Sequence, residues 1–395
     1  MKWEKKKLCE CTEYITDGDH QPAPKADKGV HFIKIKDIVN NQVSFDAQVY
    51  VPQEYYDNLP MERKPQKEDV LYTVVGSFGI PSYVQTDELF CFERNIALLH
   101  PNKDIEPRFL YYSLKNPAFY KGVEIVANGS AQKLIPLSKL KDLKILVPDK
   151  EAQRHIADIL SAYDDLIENN QRQIKLLEEA AQRLYKEWFV DLRFPGHENT
   201  KIVDGVPEGW SKSTVGNICK LRKVVITPDK IESNTPYIGL EHMPRNDICL
   251  STWGKSEEIN SNKFIYLKKD VLFGKIRPYF HKVGFALNDG ITSTDTMVMV
   301  ADQNLWGLLL VTVSSDAFVD FSYQNCKEGA KMPRADWKQM EKYAIMIADQ
   351  ATQKLFEQEI LVITNKISAL AFQCRSLREA RDRMLPKLMG GEVEA

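Results

Sequence analysis

A chain of 395 residues has room for two or three domains with cores of their own. Charged residues make up 27% of it and the net charge is −2, so any surface for nucleic acid must be a local basic patch. No apolar run approaches the length of a helical membrane span, and a membrane is not an expected partner. The segment 1–7, Met-Lys-Trp-Glu-Lys-Lys-Lys, lacks the apolar core of a signal peptide, and a cytoplasmic location is expected. Seven cysteines, at Cys9, Cys11, Cys91, Cys219, Cys249, Cys326 and Cys374, form no CxxC pair, and their odd number fits reduced thiols.

Residues 1–150 read as a first globular domain. Polar punctuation over 16–22 precedes an alternating strand over 31–38, with Lys34 and Lys36 on one face. A second strand over 69–75 runs into the turn Gly76-Ser77-Phe78-Gly79. Pro107 in a first turn predicts a helix over 108–120; a loop follows at 128–133, with Gln132 and Lys133, and then a buried strand over 143–147.

Spacing of three and four then takes over. Leu160, Tyr163, Ile167, Asn170, Ile174, Leu177, Ala181, Leu184 and Trp188 form one stripe with a single polar member. Such a stripe lies along another helix, because the 3.5-residue period keeps the seam facing its partner. Residues 151–195 are therefore a spacer helix. A matching stripe returns about 200 residues on, in 349–395, as Ile360, Ile363, Ile367, Leu370, Cys374, Leu377, Arg381, Met384 and Leu388. Antiparallel pairing is expected, because a parallel pair would force 192–210 to retrace the helix almost fully extended. The helix over 151–191, at about 1.5 Å per residue, makes a rod of roughly 60 Å with a domain at each end. Asn170 and Arg381 either fix register or sit at the solvated margin of the seam.

Residues 196–348 repeat the plan of the first domain. Lys67-Glu68-Asp69-Val70-Leu71 answers to Lys268-Lys269-Asp270-Val271-Leu272. Where the first copy has 75–79, the second carries Lys275-Ile276-Arg277-Pro278-Tyr279-Phe280-His281-Lys282. The fold class is α+β: two repeated domains of mixed sheet with helices, separated by two long antiparallel helices in pseudo-twofold relation.

Chemistry is sparse. Asn116-Pro117-Ala118-Phe119 resembles an amino-methyltransferase motif but lacks its second proline, and no glycine-rich turn lies upstream. There is no GxxxxGK[ST] phosphate loop, and the seven histidines have no metal-ligand spacing. No catalytic residue, metal ligand or cofactor site is assigned, and the chain reads as a binder. The best binding signal is 268–282, with Lys275, Arg277 and Lys282 interleaved with Phe273, Tyr279 and Phe280. Arginine can bond guanine O6 and N7 bidentately while lysines hold phosphates; the alternative is an edge strand kept from aggregating by its charges. Tyr279 with Lys34, Lys36, Ser77, Gln132, Lys133, Thr292, Ser293, Lys331 and Arg334 complete the candidate DNA contacts.

Two stretches make a resemblance specific. The segment 184–210, with Trp188-Phe189-Val190-Asp191-Leu192-Arg193-Phe194-Pro195-Gly196 and Val206-Pro207-Glu208-Gly209-Trp210, resembles the central spacer of the specificity subunit of type I restriction-modification systems. Met384-Leu385-Pro386-Lys387-Leu388-Met389-Gly390-Gly391 resembles that family's closing motif. The stretch 270–279 and the turn over 73–79 resemble two versions of its target-recognition domain. The chain departs from the family at 347–353, where a proline and a glutamate usually precede the glutamine. The resemblance implies a non-enzymatic subunit whose two domains each read half of a gapped double-stranded DNA target, with the helices as a ruler. It implies docking of two methyltransferase subunits using S-adenosylmethionine, and of nuclease and translocase subunits using ATP, with none of these cofactors bound by this chain. A coiled-coil scaffold for two protein-binding domains, or a self-sufficient methyltransferase, are the alternatives.

Overall fold

The computed structural model describes residues 3–20, 22–39, 41–127, 133–257, 259–326 and 332–392. They form two compact units, Met1–Leu166 with Leu377–Ala395, and Ile167–Ser376. Among the described residues no helix is long and apolar enough to cross a membrane.

The first unit is built on an antiparallel sheet in the order Thr12–Asp17, Ile96–Pro101, Val70–Thr73, Pro81–Tyr83. A smaller sheet pairs Val30–Ile33 with Tyr50–Val51 and, in parallel, with Phe90–Phe92. Side chains alternate across a strand, so Val70, Tyr72, Ala97 and Leu99 join one core while Leu71, Ile96 and Leu98 join another on the opposite face. Both faces of this sheet are therefore covered.

Three expectations are corrected here. The strand expected over 31–38 ends at Ile33, and Ile35–Asp37 is a 3-10 turn. The Asp37 carboxylate accepts the Lys34 N–H (2.9 Å) and Glu93 accepts that of Ile35 (2.7 Å), which takes these donors out of any ladder. Lys34 and Lys36 accordingly do not share a strand face. The helix expected over 108–120 is two, Pro107–Lys115 and Pro117–Val126. Pro117 excludes its predecessor from helical backbone; Asn116 is extended (ψ 128°) and caps the second helix through Ala118 N–H (3.0 Å). The strand Lys144–Val147 is buried on one face only: it pairs with Glu4–Lys7, and Leu146 is exposed.

The second unit repeats the central pairing in a five-stranded sheet, Cys219–Leu221, Thr296–Ala301, Val271–Gly274, Val283–Ala286, Cys249–Leu250, whose last pair is parallel. Leu71 faces Leu98 in the first unit, and Leu272 faces Val298 in the second. The entry to each central strand is also the same. Glu68 and Lys269 take left-handed backbone (φ 77° and 73°), and the next residue, Asp69 or Asp270, is a buried carboxylate. Asp69 accepts from Gln66 N–H (2.7 Å), Asp270 from Leu267 N–H (2.8 Å). The charge partner differs: His100 in the first unit (2.6 Å), Arg222 in the second (2.8 Å).

The long helices are Lys150–Tyr185, extended by a π turn over Lys186–Val190, and Gln350–Met389. Despite the departure at 347–353, the second starts cleanly, with the Asp349 carboxylate accepting Ala351 and Thr352 N–H (3.0 and 3.1 Å). Helix pairing within each unit is antiparallel. In the first, Arg381 is ion-paired to Asp164 and the Tyr163 hydroxyl donates to the Met384 sulfur (3.4 Å). In the second, Cys374 lies against the Ile167 carbonyl, and Phe356 packs against Trp188 and Phe189 (centroids 5.6 and 4.8 Å). Leu160, Ile167, Asn170, Trp188, Ile360, Ile367 and Leu370 are buried; Tyr163, Ile174, Leu177, Leu184, Ile363, Leu377 and Met384 are half-buried. Asn170 sits inside the seam and not at its margin, with its amide nitrogen unpartnered among the described residues.

Candidate nucleic-acid interface

In the second unit the strand Val271–Gly274 feeds a loop whose backbone is over-determined. Lys275 takes Asp295 as carbonyl partner and Ala335 donates back to the Lys275 carbonyl (2.8 and 2.9 Å); Ile276 bridges to Arg334, and Arg277 N–H donates to Pro333 O (2.9 Å). The first unit has the same bracing, with Val75 bridged to Leu134 and Gly76 N–H on Lys133 O (3.3 Å). Gly76 and Arg277 thus fill one structural position, and both are left-handed (φ 71° and 51°). Glycine takes that backbone freely; for arginine it costs of order 1–3 kcal/mol and persists only under such bracing. His281 closes the turn, also left-handed (φ 51°), with its ring on the Ser314 carbonyl (2.9 Å).

Around this loop the cations gather. Burial lowers the Lys275 pKa, with Arg334 and Lys223 adding repulsion, and its ammonium donates to the Thr294 carbonyl (2.7 Å). Burial likewise lowers Lys282, with Arg245 repelling it next, and its ammonium is held by the Leu240 carbonyl. Arg334 is ion-paired with Asp295, and Ser293 accepts the Asp295 N–H (3.1 Å). Tyr279 is 46% exposed and meets Phe280 and Tyr323 edge-on (5.0 and 5.2 Å). Aromatic faces beside cations that still point to solvent suit a polyanion whose bases or sugars contribute apolar contact.

Not every candidate reaches this face. Thr292 is fully buried in the small sheet, its hydroxyl donating to Ile238 O (2.6 Å), and is corrected to a core residue. Gln132 and Lys331 lie outside the described residues. In the first unit Ser77 is exposed at the turn, which Thr73 fastens by donating to the Ser77 carbonyl (2.7 Å). Lys133 lies over Phe78 (5.4 Å) and within 3.8 Å of Glu124. Beside this turn a groove of about 550 Å³ is lined by Asn41, Gly79, Lys115, Tyr120 and Lys121. Lys34 precedes, and Lys36 lies within, a separate turn. Sequence reasoning missed Lys223 and Arg245, because neither lies in the basic run over 268–282; only strand pairing brings them to it. Among the described residues no cluster of three or more His, Cys, Asp or Glu side chains could hold a metal.

Comparison with known proteins supplies an independent line. Residues 1–179 match the family model of the type I restriction modification DNA specificity domain. The type I restriction enzyme MjaIX specificity subunit of Methanocaldococcus jannaschii is 25% identical over 330 residues, covering 76% of this chain and 71% of that protein. The putative MjaX specificity subunit of the same organism is 29% identical over 222 residues, 54% of this chain and 52% of that protein. The crystal structure of a type I restriction-modification S subunit from M. genitalium superposes with a TM-score of 0.60 at 17% identity, covering 98% of this chain and 96% of that one, and shares its fold.

Proposed function

We infer, from the match of residues 1–179 to the type I restriction modification DNA specificity domain and the likeness to specificity subunits, that the chain belongs to that family, as the DNA-sequence-specificity subunit of such a complex and not itself a catalyst. Each recognition domain reads one half of a bipartite gapped target, and the paired long helices set the gap and dock methyltransferase subunits; nuclease and translocase subunits join the same complex. S-adenosylmethionine and ATP chemistry belongs to those partners.

The observation that carries this reading is the braced, basic and aromatic loop of the second unit: in a chain of net charge −2 it carries Lys275, Arg277 and Lys282 together with exposed Tyr279. Exposed Leu166, Leu176, Leu355, Val362 and Phe372 on the long helices support docking of partner subunits, since isolated apolar side chains are common but five on two paired helices are apt for burial. A protein scaffold and a self-sufficient methyltransferase find no such support in the relatives.

The test is base-resolution sequencing of DNA methylation in cells carrying the intact system, with the chain present, deleted, or bearing Arg277→Ala. A bipartite motif that vanishes on deletion and loses or changes one half with Arg277→Ala is expected. Methylation indifferent to deletion overturns the function; an unchanged half-site with Arg277→Ala removes that loop from recognition. In vitro, DNA affinity of the assembled complex should fall steeply with salt.

A further inference from the structure

Arg245 lies outside the basic run, in a segment whose two ends are tied down. Asn246 N–H donates to the His281 carbonyl (3.1 Å), fastening the segment to the turn that ends the Arg277 loop. Two residues on, Ile248 and Cys249 N–H both donate to Glu178 of the first long helix (2.9 and 3.0 Å). The parallel pairing of Cys249–Leu250 with Val283–Ala286 locks the register between the two segments. As a result, the guanidinium of Arg245 lies 4.0 Å from the centre of the Phe280 ring, and that of Arg277 lies 5.7 Å from the same ring.

The other arginines near this face have spent their charge, Arg222 on Asp270 and Arg334 on Asp295. Among the described residues neither Arg245 nor Arg277 has a carboxylate partner, and Arg245 is exposed. A stacked guanidinium has its plane fixed while its N–H fork stays free at the edge. That suits a planar acceptor pair such as guanine O6 and N7; a phosphate can also take such a fork, and the two are told apart by whether a base preference or overall affinity changes.

We propose that Arg245 is a second specificity-determining residue of this unit, held on Phe280 beside Arg277 to read the edge of a guanine. The proposal rests on the DNA-specificity reading above. It makes the half-site of this unit depend on two arginines carried by separate segments, with Phe280 as their common platform.

The test is the methylation motif of cells carrying the intact system with Arg245→Lys, Arg245→Ala or Phe280→Leu. Arg245→Lys keeps the charge and loses the fork. It should relax preference at one guanine-containing position of one half-site by roughly ten- to a hundredfold, with the other half and the gap unchanged. Arg245→Ala should relax the same position, and Phe280→Leu should blur the positions read by both arginines. The unchanged half serves as the internal sign of a folded, assembled complex. Uniform weakening with every base preference intact marks Arg245 as a phosphate contact and overturns the proposal, as does a Lys variant identical to the parent. Absence of any bipartite motif in the parent strikes the function itself, which keeps the two failures apart.

Discussion

Glu357 should be worth several kcal/mol to the second unit and nothing to the first. It is 5% exposed, and its carboxylate accepts Gly307 N–H (2.6 Å), Leu308 N–H (2.9 Å) and the Gln353 side-chain amide (3.1 Å). Gly307 and Leu308 open the helix Trp306–Val313, every residue of which is buried, and the preceding Leu305 has no side-chain cap. Glu357→Ala strands two buried amides at about 1–3 kcal/mol each and removes a negative charge from a helix N-terminus, about 0.5–1 kcal/mol more. Against this, burial raises the pKa of Glu357, so removing it relieves some desolvation. A net loss of about 2–4 kcal/mol remains, a large fraction of the 5–15 kcal/mol typical of a domain. Urea unfolding followed by intrinsic fluorescence reads this unit almost alone, because Trp188, Trp210, Trp253, Trp306 and Trp337 lie in it and only Trp3 in the other. Glu357→Gln keeps an acceptor oxygen and should lose about half as much. An unfolding free energy for Glu357→Ala within about 0.5 kcal/mol of the parent, the range of an inconsequential surface change, would refute the reasoning.

Burial, with Asp247 nearby, pushes the Glu178 carboxyl up to about 8 against two backbone N–H groups that pull it down. The unfolded chain releases this proton near the ordinary carboxylate value while the folded unit keeps it. The contribution to stability is therefore full at acid pH and is lost progressively as pH rises towards about 8. Thermal midpoints measured from pH 5 to 8 should fall less in Glu178→Gln than in the parent; parallel curves would sink the assignment. Asn170→Leu replaces a buried amide with an unpartnered nitrogen by an apolar side chain of similar size, and should raise the unfolding free energy from urea titration by about 1–3 kcal/mol. Destabilisation of that variant would mean the amide is satisfied in solution. Inserting one heptad into each long helix at facing positions should lengthen the gap of the methylated motif while leaving both halves intact; an unaltered gap would defeat the ruler.

Residue pattern alone determined the parts of this protein that repeat. The heptad stripes place Leu160 and Ile367 in helix seams because a 3.5-residue period leaves no other face for them to bury. The Asp-Val-Leu match at 69–71 and 270–272 is legible because both aspartates do one local job, capping the turn into a central strand. The basic and aromatic run over 268–282 is likewise visible, since its residues are neighbours in the chain. What escaped depends on partners far away in sequence. Lys34 and Lys36 left their strand because Glu93 and Asp37 claimed the ladder donors. Thr292 went into a core because Ile238 pairs beside it, and Arg245 joined Arg277 because a parallel strand pair lays one segment against the other. A period survives in any local window, but a cross-strand neighbour exists only once the sheet has closed, and that is where the tertiary structure decided which cations share a face.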